Sequence, residues 1–536
     1  MNRLKLFLYN TVIITLTSIF IRAVDMFFSV YVANKIGSEG SGLFELIMSI
    51  YLFATTLSNA GINLAATRIV AEEYDTNGHS GAIVAIKKCI FYSLFFGLFA
   101  CILLIILSPI LISKLLMNKV SKMPLYILAI SLPFVSVSTS LDGYFSGIRQ
   151  ISKSSLGRIL GLLVRIGLTF LFIYLFPSND FNSVFIYLVL SSTLASIFSF
   201  LYSYLLYRIN TKSTFLDKKI SGNQYIKRIL KISLPVAITS IIRSALSTLK
   251  QILIPIRLSK FTNSIDTALS QYGLINGMTF PLLLFPSVII NSFASLLIPE
   301  FSSFKLTNNY RTMNKIIYLV FKIASFFSIC IIGIFLTFTE EICTIIYHDL
   351  NLVKFVVLLC PIVIFMYIDT IIDSMLKGLD RQVEVMYCNI ADLFITITLI
   401  YTIIPIWGIN GYILILYTSE IFNFFVSLYQ LYRETHFKFD YTFCIIIPTI
   451  LILIIKFIFD TFDNYLTSRI KIVSVKVLTF AFLYFIIIAI VNFAKFVVNY
   501  RAKTNRRIKI IDADVVRIKW VTMSVCNTFW RRFAFI

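Results

Sequence analysis

The sequence predicts an all-α polytopic membrane protein of about 14 transmembrane helices, arranged as two parallel pseudo-symmetric six-helix lobes plus two C-terminal helices. Three observations carry this. Of 536 residues, 58% are hydrophobic and only 14% are charged, where a soluble domain carries roughly a quarter; mean hydropathy is +0.88. Apolar runs of bilayer-spanning length, about 20 residues, recur along the chain. Lys and Arg gather between alternate runs.

The runs fall at 6–33, 43–67, 89–113, 124–146, 155–176, 182–207, 232–256, 268–298, 316–337, 352–376, 383–404, 409–431, 441–460 and 474–499. The N-terminus, Met-Asn-Arg-Leu-Lys, precedes a run too long for a signal-peptide core, with no small-residue cleavage site, so it reads as a retained first helix. The longest polar linker, Arg208 to Lys231, follows the sixth run. Residues 1–207 thus form an N-terminal six-helix lobe, 208–231 a basic cytoplasmic linker, 232–431 a C-terminal six-helix lobe, 432–500 two added helices and 501–536 a basic cytoplasmic tail. With the N-terminus placed inside and the runs bounded as above, 30 of the 48 Lys and Arg lie in inside segments, eight in outside loops and ten within the runs. Positive charge marks the cytoplasmic side, so both termini are expected in the cytoplasm.

The net charge of +22 invites a nucleic-acid reading. The basic residues lie in short loops rather than on an aromatic-basic surface, so no nucleic-acid partner is expected. Eight scattered cysteines form no CxxC pair, and most sit in apolar runs as small hydrophobes. His79, His348 and His436 fall in loops. No disulfide framework, metal site or cofactor is expected. No nucleophile–base constellation or Walker loop is present, which argues against an enzyme and against an ATP-driven pump.

An internal repeat appears at an offset of 231 residues. Leu141-Asp142 with Gly147-Ile148 reads against Ile372-Asp373 with Gly378-Leu379, and Gly42-Leu43 against Gly273-Leu274. The segment ending at Arg22 resembles the one ending at Arg243. A shift of six helices preserves orientation, so the repeat is parallel. Two such halves around a central cavity are a transporter plan; the other reading is chance similarity among apolar helices.

Several stretches carry a family resemblance. Arg22 is followed by Gly-Ser-Glu-Gly-Ser-Gly-Leu-Phe from Gly37; Asn59 to Glu73, Leu141 to Gln150, Lys231 to Ser240, Tyr272 to Ser302 and Ile404 to Tyr412 complete the set. The sequence resembles the stage V sporulation protein B-like polysaccharide transporters. These are relatives of MurJ-type lipid II flippases in the superfamily that also holds multidrug extruders. The resemblance covers residues 1 to about 500. It implies two lobes with alternating access and a polyprenyl-linked glycan cargo flipped between leaflets. A proton or sodium ion is a candidate coupling partner, and a monomer is expected. Relatives often place further cations after the first arginine; here those positions hold Phe28, Ser29 and Asn34. The alternative within the superfamily is a cation-coupled multidrug exporter. A glycosyltransferase would need a large extracytoplasmic loop, and the longest here is about 20 residues.

Charges at membrane depth are costly and mark candidate sites. Arginine pairs bidentately with phosphate, so Arg22, Arg243 and Arg165 are the substrate-binding candidates, with Arg22 and Arg243 expected to face each other. The bland reading is pairing with buried carboxylates. Asp25, three residues beyond Arg22, reads as its intrahelical partner or as a placeholder that phosphate displaces. Asp142 with Arg149, and Asp373 with Lys377 and Arg381, read as inner-gate contacts or as turn chemistry. Asp369 and Asp373, four apart on one face, are the coupling-ion candidates. Gly273, Gly277, Pro281 and Pro286 break helix eight, as expected where helices line a transport site.

Overall fold

The computed structural model describes residues 3–504 except 116–118, 120, 178–180, 213–222, 308, 438–441 and 470–472. The middle of the predicted linker and nearly all of the predicted basic tail lie outside the described residues. Among the described residues every regular element is helical and no strand occurs. Eleven helical spans are long and apolar enough to cross a membrane, so the chain is a multi-pass membrane protein.

The order is α1 (Arg3–Asn59), α2 (Ile62–Ile110), α3 (Met123–Gly147), α4 (Ile151–Leu175), α5 (Phe181–Thr211), α6 (Asn223–Thr262), α7 (Ile265–Gly273), α8 (Phe280–Leu284), α9 (Ser287–Thr307), α10 (Tyr310–Ile346), α11 (Asn351–Leu359), α12 (Val363–Gly378), α13 (Gln382–Thr435), α14 (Ile447–Arg469) and α15 (Val473–Thr504). The chain packs as two compact units, Met1–Val477 and Leu478–Ile536. The described part of the second is the remainder of α15.

Three long helical runs are interrupted by glycine. Gly37 in α1, Gly78 in α2 and Gly408 in α13 have φ of 72°, 63° and 57°, the left-handed region that other residues enter at a penalty. The second apolar run, expected as one helix over 43–67, is broken at Ala60 and Gly61, whose φ values are 41° and 69°. Packing leaves room only for glycine there: a Cβ on Gly61 would lie 2.6 Å from the Ser233 carbonyl oxygen of α6. The eighth run is broken as its glycines and prolines predict. It passes from α7 through a wide π turn at Leu274–Thr279 into α8, then breaks before α9 at Phe285 and Pro286.

The two arms of the repeat fold alike. Helices α3 and α12 end on Gly147 and Gly378, the glycines of the repeated motif. Two residues further on, Arg149 and Asp380 both adopt positive φ. Arg149 pairs with Asp75 at 3.3 Å, and Asp380 with Lys305 at 3.1 Å. The same joint is thus made twice with the charges exchanged.

The larger apolar core runs through both halves of the chain, from Leu46 and Ile50 through Ile252 and Leu258 to Ile371 and Ile400. A second core joins α2 and α3 to Tyr225, Ile229 and Ala237 of α6. Helix α6 therefore packs its first half on the N-terminal helices, and its second half (Ile252, Ile254, Leu258) in the larger core.

Candidate functional site

Polar side chains recur at helical spacing in two apolar helices, and the fold turns both stripes inward. One is Ser49, Thr56, Asn59, Asn63 and Thr67, running through the Ala60–Gly61 break; the other is Ser240, Arg243, Ser244, Ser247 and Gln251 of α6. With Thr139 of α3 they line a cavity of about 760 Å³. Among the described residues, Arg243 is the one charged side chain in that lining. Hydroxyls, amides and one permanent cation form a surface suited to phosphate and sugar oxygens.

Two smaller cavities adjoin it. One of about 430 Å³ lies among α1, α3, α4 and α5, with Asp25, Asp142, Arg158, Arg165 and a row of serines in its wall. It shares Thr139 with the large cavity. The other, about 260 Å³, adds Glu45, Phe28 and Ser29 to Asp25 and Arg165, and reaches Gly277 of the π turn.

Arg165 of α4 pairs with Asp25 of α1 and lies 5.0 Å from the centre of the Phe28 ring, a cation–π contact. This corrects the expected Arg22–Asp25 partnership. A cation from another helix reaches the carboxylate, while Arg22 is exposed and makes no ion pair with a described residue. Arg22 is absent from the lining of these three cavities, whereas Arg243 lines the first. The positions of the missing helix-one cations are put to other uses. Phe28 receives Arg165, Ser29 lines the small cavity, and Asn34 donates to the Ile346 carbonyl at 2.7 Å.

Asp142 accepts from Ser154 at 2.6 Å and sits in the cavity wall rather than at a helix end. Lys377 lies 3.8 Å from Asp373 on its own helix, and Arg381 pairs with Glu384 and Glu434, each at 2.8 Å. Arg228, at the start of α6, pairs with Glu72 and, at 3.0 Å, with Glu73 of α2. Asp369 and Asp373 do lie together. The Asp373 charge and Glu420 act on Asp369, whose Oδ1 is buried with no hydrogen-bond partner among the described residues, and Arg243 and Lys377 act on Asp373.

Sequence reasoning missed Glu45, three residues beyond Gly42 in α1, and Lys250, which acts on Glu420. The first was visible as a charge at the start of an apolar run. The polar stripe from Ser49 to Thr67 was visible as well, as periodicity of three and four within an apolar helix.

At the end marked by Gly37 the two halves meet closely. Ser38 and Ser270 hydroxyls are 2.7 Å apart, and Lys119 pairs with Asp266, with Glu39 at 3.9 Å.

A family model described as polysaccharide biosynthesis protein matches residues 7–305. The chain is 22% identical over 436 residues to the stage V sporulation protein B of Bacillus subtilis (strain 168), covering 77% of this chain and 81% of that protein. It is 20% identical over 404 residues to the sporulation protein YkvU of the same organism, covering 75% and 88%. Among solved structures it is similar to the lipid II flippase MurJ in an inward closed conformation, with a TM-score of 0.65, 14% identity and coverage of 90% and 99%. An inward-facing multidrug resistance transporter of the MATE family gives 0.61 with 12% identity, covering 78% and 98%. The likeness to these solved structures is one of fold.

Proposed function

The chain belongs to the polysaccharide biosynthesis protein family, and on that premise we propose that it is a flippase. It moves a polyprenyl-pyrophosphate-linked oligosaccharide or peptidoglycan precursor from the inner to the outer leaflet by alternating access. The observation that supports this most directly is Arg243, the one charge among the described lining residues of a cavity of about 760 Å³ whose other lining groups are hydroxyls, amides and apolar side chains. A cavity for cationic drugs would be expected to present carboxylates instead.

Dividing the first candidate span at Gly37 and Gly78, and the ninth at Gly408, gives fourteen crossings, with two six-helix lobes at 1–207 and 232–431. The end marked by Gly37 is then the outer one, both termini are cytoplasmic, and the close seam there is the shut outer gate. Arg243 takes the pyrophosphate first. Arg165 is the second cation, held by Asp25 until phosphate competes for it. Asp369 and Asp373 carry the coupling ion. A proton suits the buried, unpartnered Oδ1 of Asp369, since a protonated carboxyl loses the penalty of a buried charge. The same carboxylates favour the second reading, a cation-coupled multidrug exporter.

A leaflet-accessibility assay for undecaprenyl-linked intermediates tests the proposal. Arg243→Ala is expected to leave the cargo inside, with the protein still in the membrane. Unchanged translocation in that variant, or drug efflux without any change in envelope glycans, would sink it.

A further inference from the structure

Beside the polar cavity lies a second pocket of the opposite character. It occupies about 210 Å³ between α1, α2 and α6, and every lining side chain except Thr248 is apolar. Thr248 turns its hydroxyl to the Ser49 carbonyl at 3.0 Å, so the pocket offers no free polar group. Thr248 also lines the Arg243 cavity.

The same two helices wall both spaces with different faces. In α6, Arg243, Ser247 and Gln251 face the cavity, while Ala245, Leu249 and Ile252 face the pocket. In α1, Ser49 and Thr56 face the cavity, and Phe53 and Leu57 the pocket. At the rim Leu107 is 36% and Leu249 44% exposed. In a membrane chain such exposed apolar side chains meet lipid, so the pocket connects the cavity wall to the hydrocarbon region.

A dry apolar space next to a cationic polar one is a divided site for an amphiphile. We infer that this pocket holds the first isoprene units of the cargo's prenyl chain while its anionic head lies against Arg243. The inference rests on the flippase reading and adds where the chain leaves the protein: between α1, α2 and α6. The size fits that role. An apolar cavity of about 150 Å³ binds a benzene-sized molecule, so about 210 Å³ takes a short proximal segment of the chain and leaves the remainder in lipid. The occupant is tethered to a head that only the neighbouring cavity accepts, which separates it from a bulk phospholipid chain.

The test uses the purified full-length chain and three probes: inorganic pyrophosphate, farnesyl diphosphate and farnesol. Farnesyl diphosphate is expected to bind at least about tenfold tighter than pyrophosphate, equivalent to roughly two buried methylenes. Farnesol should bind no more tightly to the wild type than to the filled variants. Ala245→Phe fills the pocket from α6 and should abolish the tenfold advantage while leaving pyrophosphate affinity unchanged. Leu249→Trp, at the exposed rim, does the same without touching buried packing. If pyrophosphate binds but the prenyl advantage is absent, or survives both substitutions, the pocket is not the chain's site while the head site stands. If pyrophosphate does not bind, or binds Arg243→Ala equally well, the flippase reading falls and the chain site with it. Farnesol binding that is lost in the filled variants without any help from the diphosphate marks a general lipid crevice and overturns the inference.

Discussion

Gly42 and Gly273 lie backbone to backbone. A Cβ on Gly273 would come 2.7 Å from the Gly42 nitrogen and collide with the Ser38 carbonyl, and one on Gly42 would meet the Leu269 carbonyl. These are the residues that the internal repeat pairs at an offset of 231, so the two arms of the repeat touch each other through their equivalent points. Only glycine permits that approach, as in other closely packed membrane helices.

Replacing Gly273 with valine is therefore expected to force this seam apart. Overpacking of this kind costs about 1–3 kcal/mol. The thermal midpoint of the purified protein should fall by several degrees, and a cysteine placed at Ser270 should become reactive to an impermeant thiol reagent. A Gly273→Val protein with unchanged melting and a silent cysteine would show that the seam is not tight.

The Asp25–Arg165 pair joins α1 to α4 and predicts a charge-swap result. Their side chains are 50% and 26% exposed, so the pair is weaker than a fully buried one, whose breakage costs about 3–5 kcal/mol. Asp25→Asn or Arg165→Ala should each lower stability by about 1–2 kcal/mol and depress translocation. Asp25→Arg combined with Arg165→Asp should restore stability, because the pair is rebuilt with its sign reversed. Transport is a separate readout. If Arg165 also binds cargo, the swap leaves an arginine at 25 in the same cavity wall, and translocation recovers in part. Full loss of folding in the swap would show that Phe28 stacking, rather than the charge pair, positions Arg165.

The class of the protein was legible because bilayer crossing needs length and hydropathy, both local properties. The repeat was legible from Asp142, Gly147, Asp373 and Gly378, and the structure ends two helices on those glycines. The partner of Asp25 was not. Sequence spacing offered Arg22, three residues away, while Arg165 lies 140 residues away and reaches Asp25 only once α4 is packed on α1. The polar stripes of α1 and α6 were visible, but which face turns inward is set by tertiary packing. The break at Ala60–Gly61 was hidden for a related reason, since the neighbour that excludes a side chain at 61, the Ser233 carbonyl, belongs to a distant helix.

The Arg228 joint predicts a pH-dependent contribution. Glu72 lies in the polar stretch between the second and third apolar runs, and its carboxyl is held below the usual range by its hydrogen bond to Arg68 and by the charge of Arg228. A carboxyl lowered in the folded state contributes stability above its unfolded value, near 4.3, and loses it as pH falls through the folded value. The melting difference between wild type and Arg228→Ala should therefore be present at pH 7 and shrink below about pH 4. Because Glu72 and Arg228 are each 42% exposed, the difference should be modest, about 1 kcal/mol or less, and smaller in high salt. A difference that is constant from pH 7 to pH 3 would mean that Arg228 acts by packing alone.

Lys119 holds the seam from the opposite direction. It reaches both Glu39, in the first half of the chain, and Asp266, in the second. In an alternating-access cycle this contact must break whenever the Gly37 end opens. Asp266→Lys places a second cation beside Lys119, so it should favour the open state by like-charge repulsion. A cysteine at Ser38 is then expected to label several-fold faster from the outer face of intact cells than in the parent, with the protein still folded and abundant. The same cysteine should be protected again when Lys119→Glu is added, because attraction is restored with the charges exchanged. Equal labelling in all three backgrounds would remove Lys119 from the gate and leave closure of this end to the Gly42–Gly273 crossing.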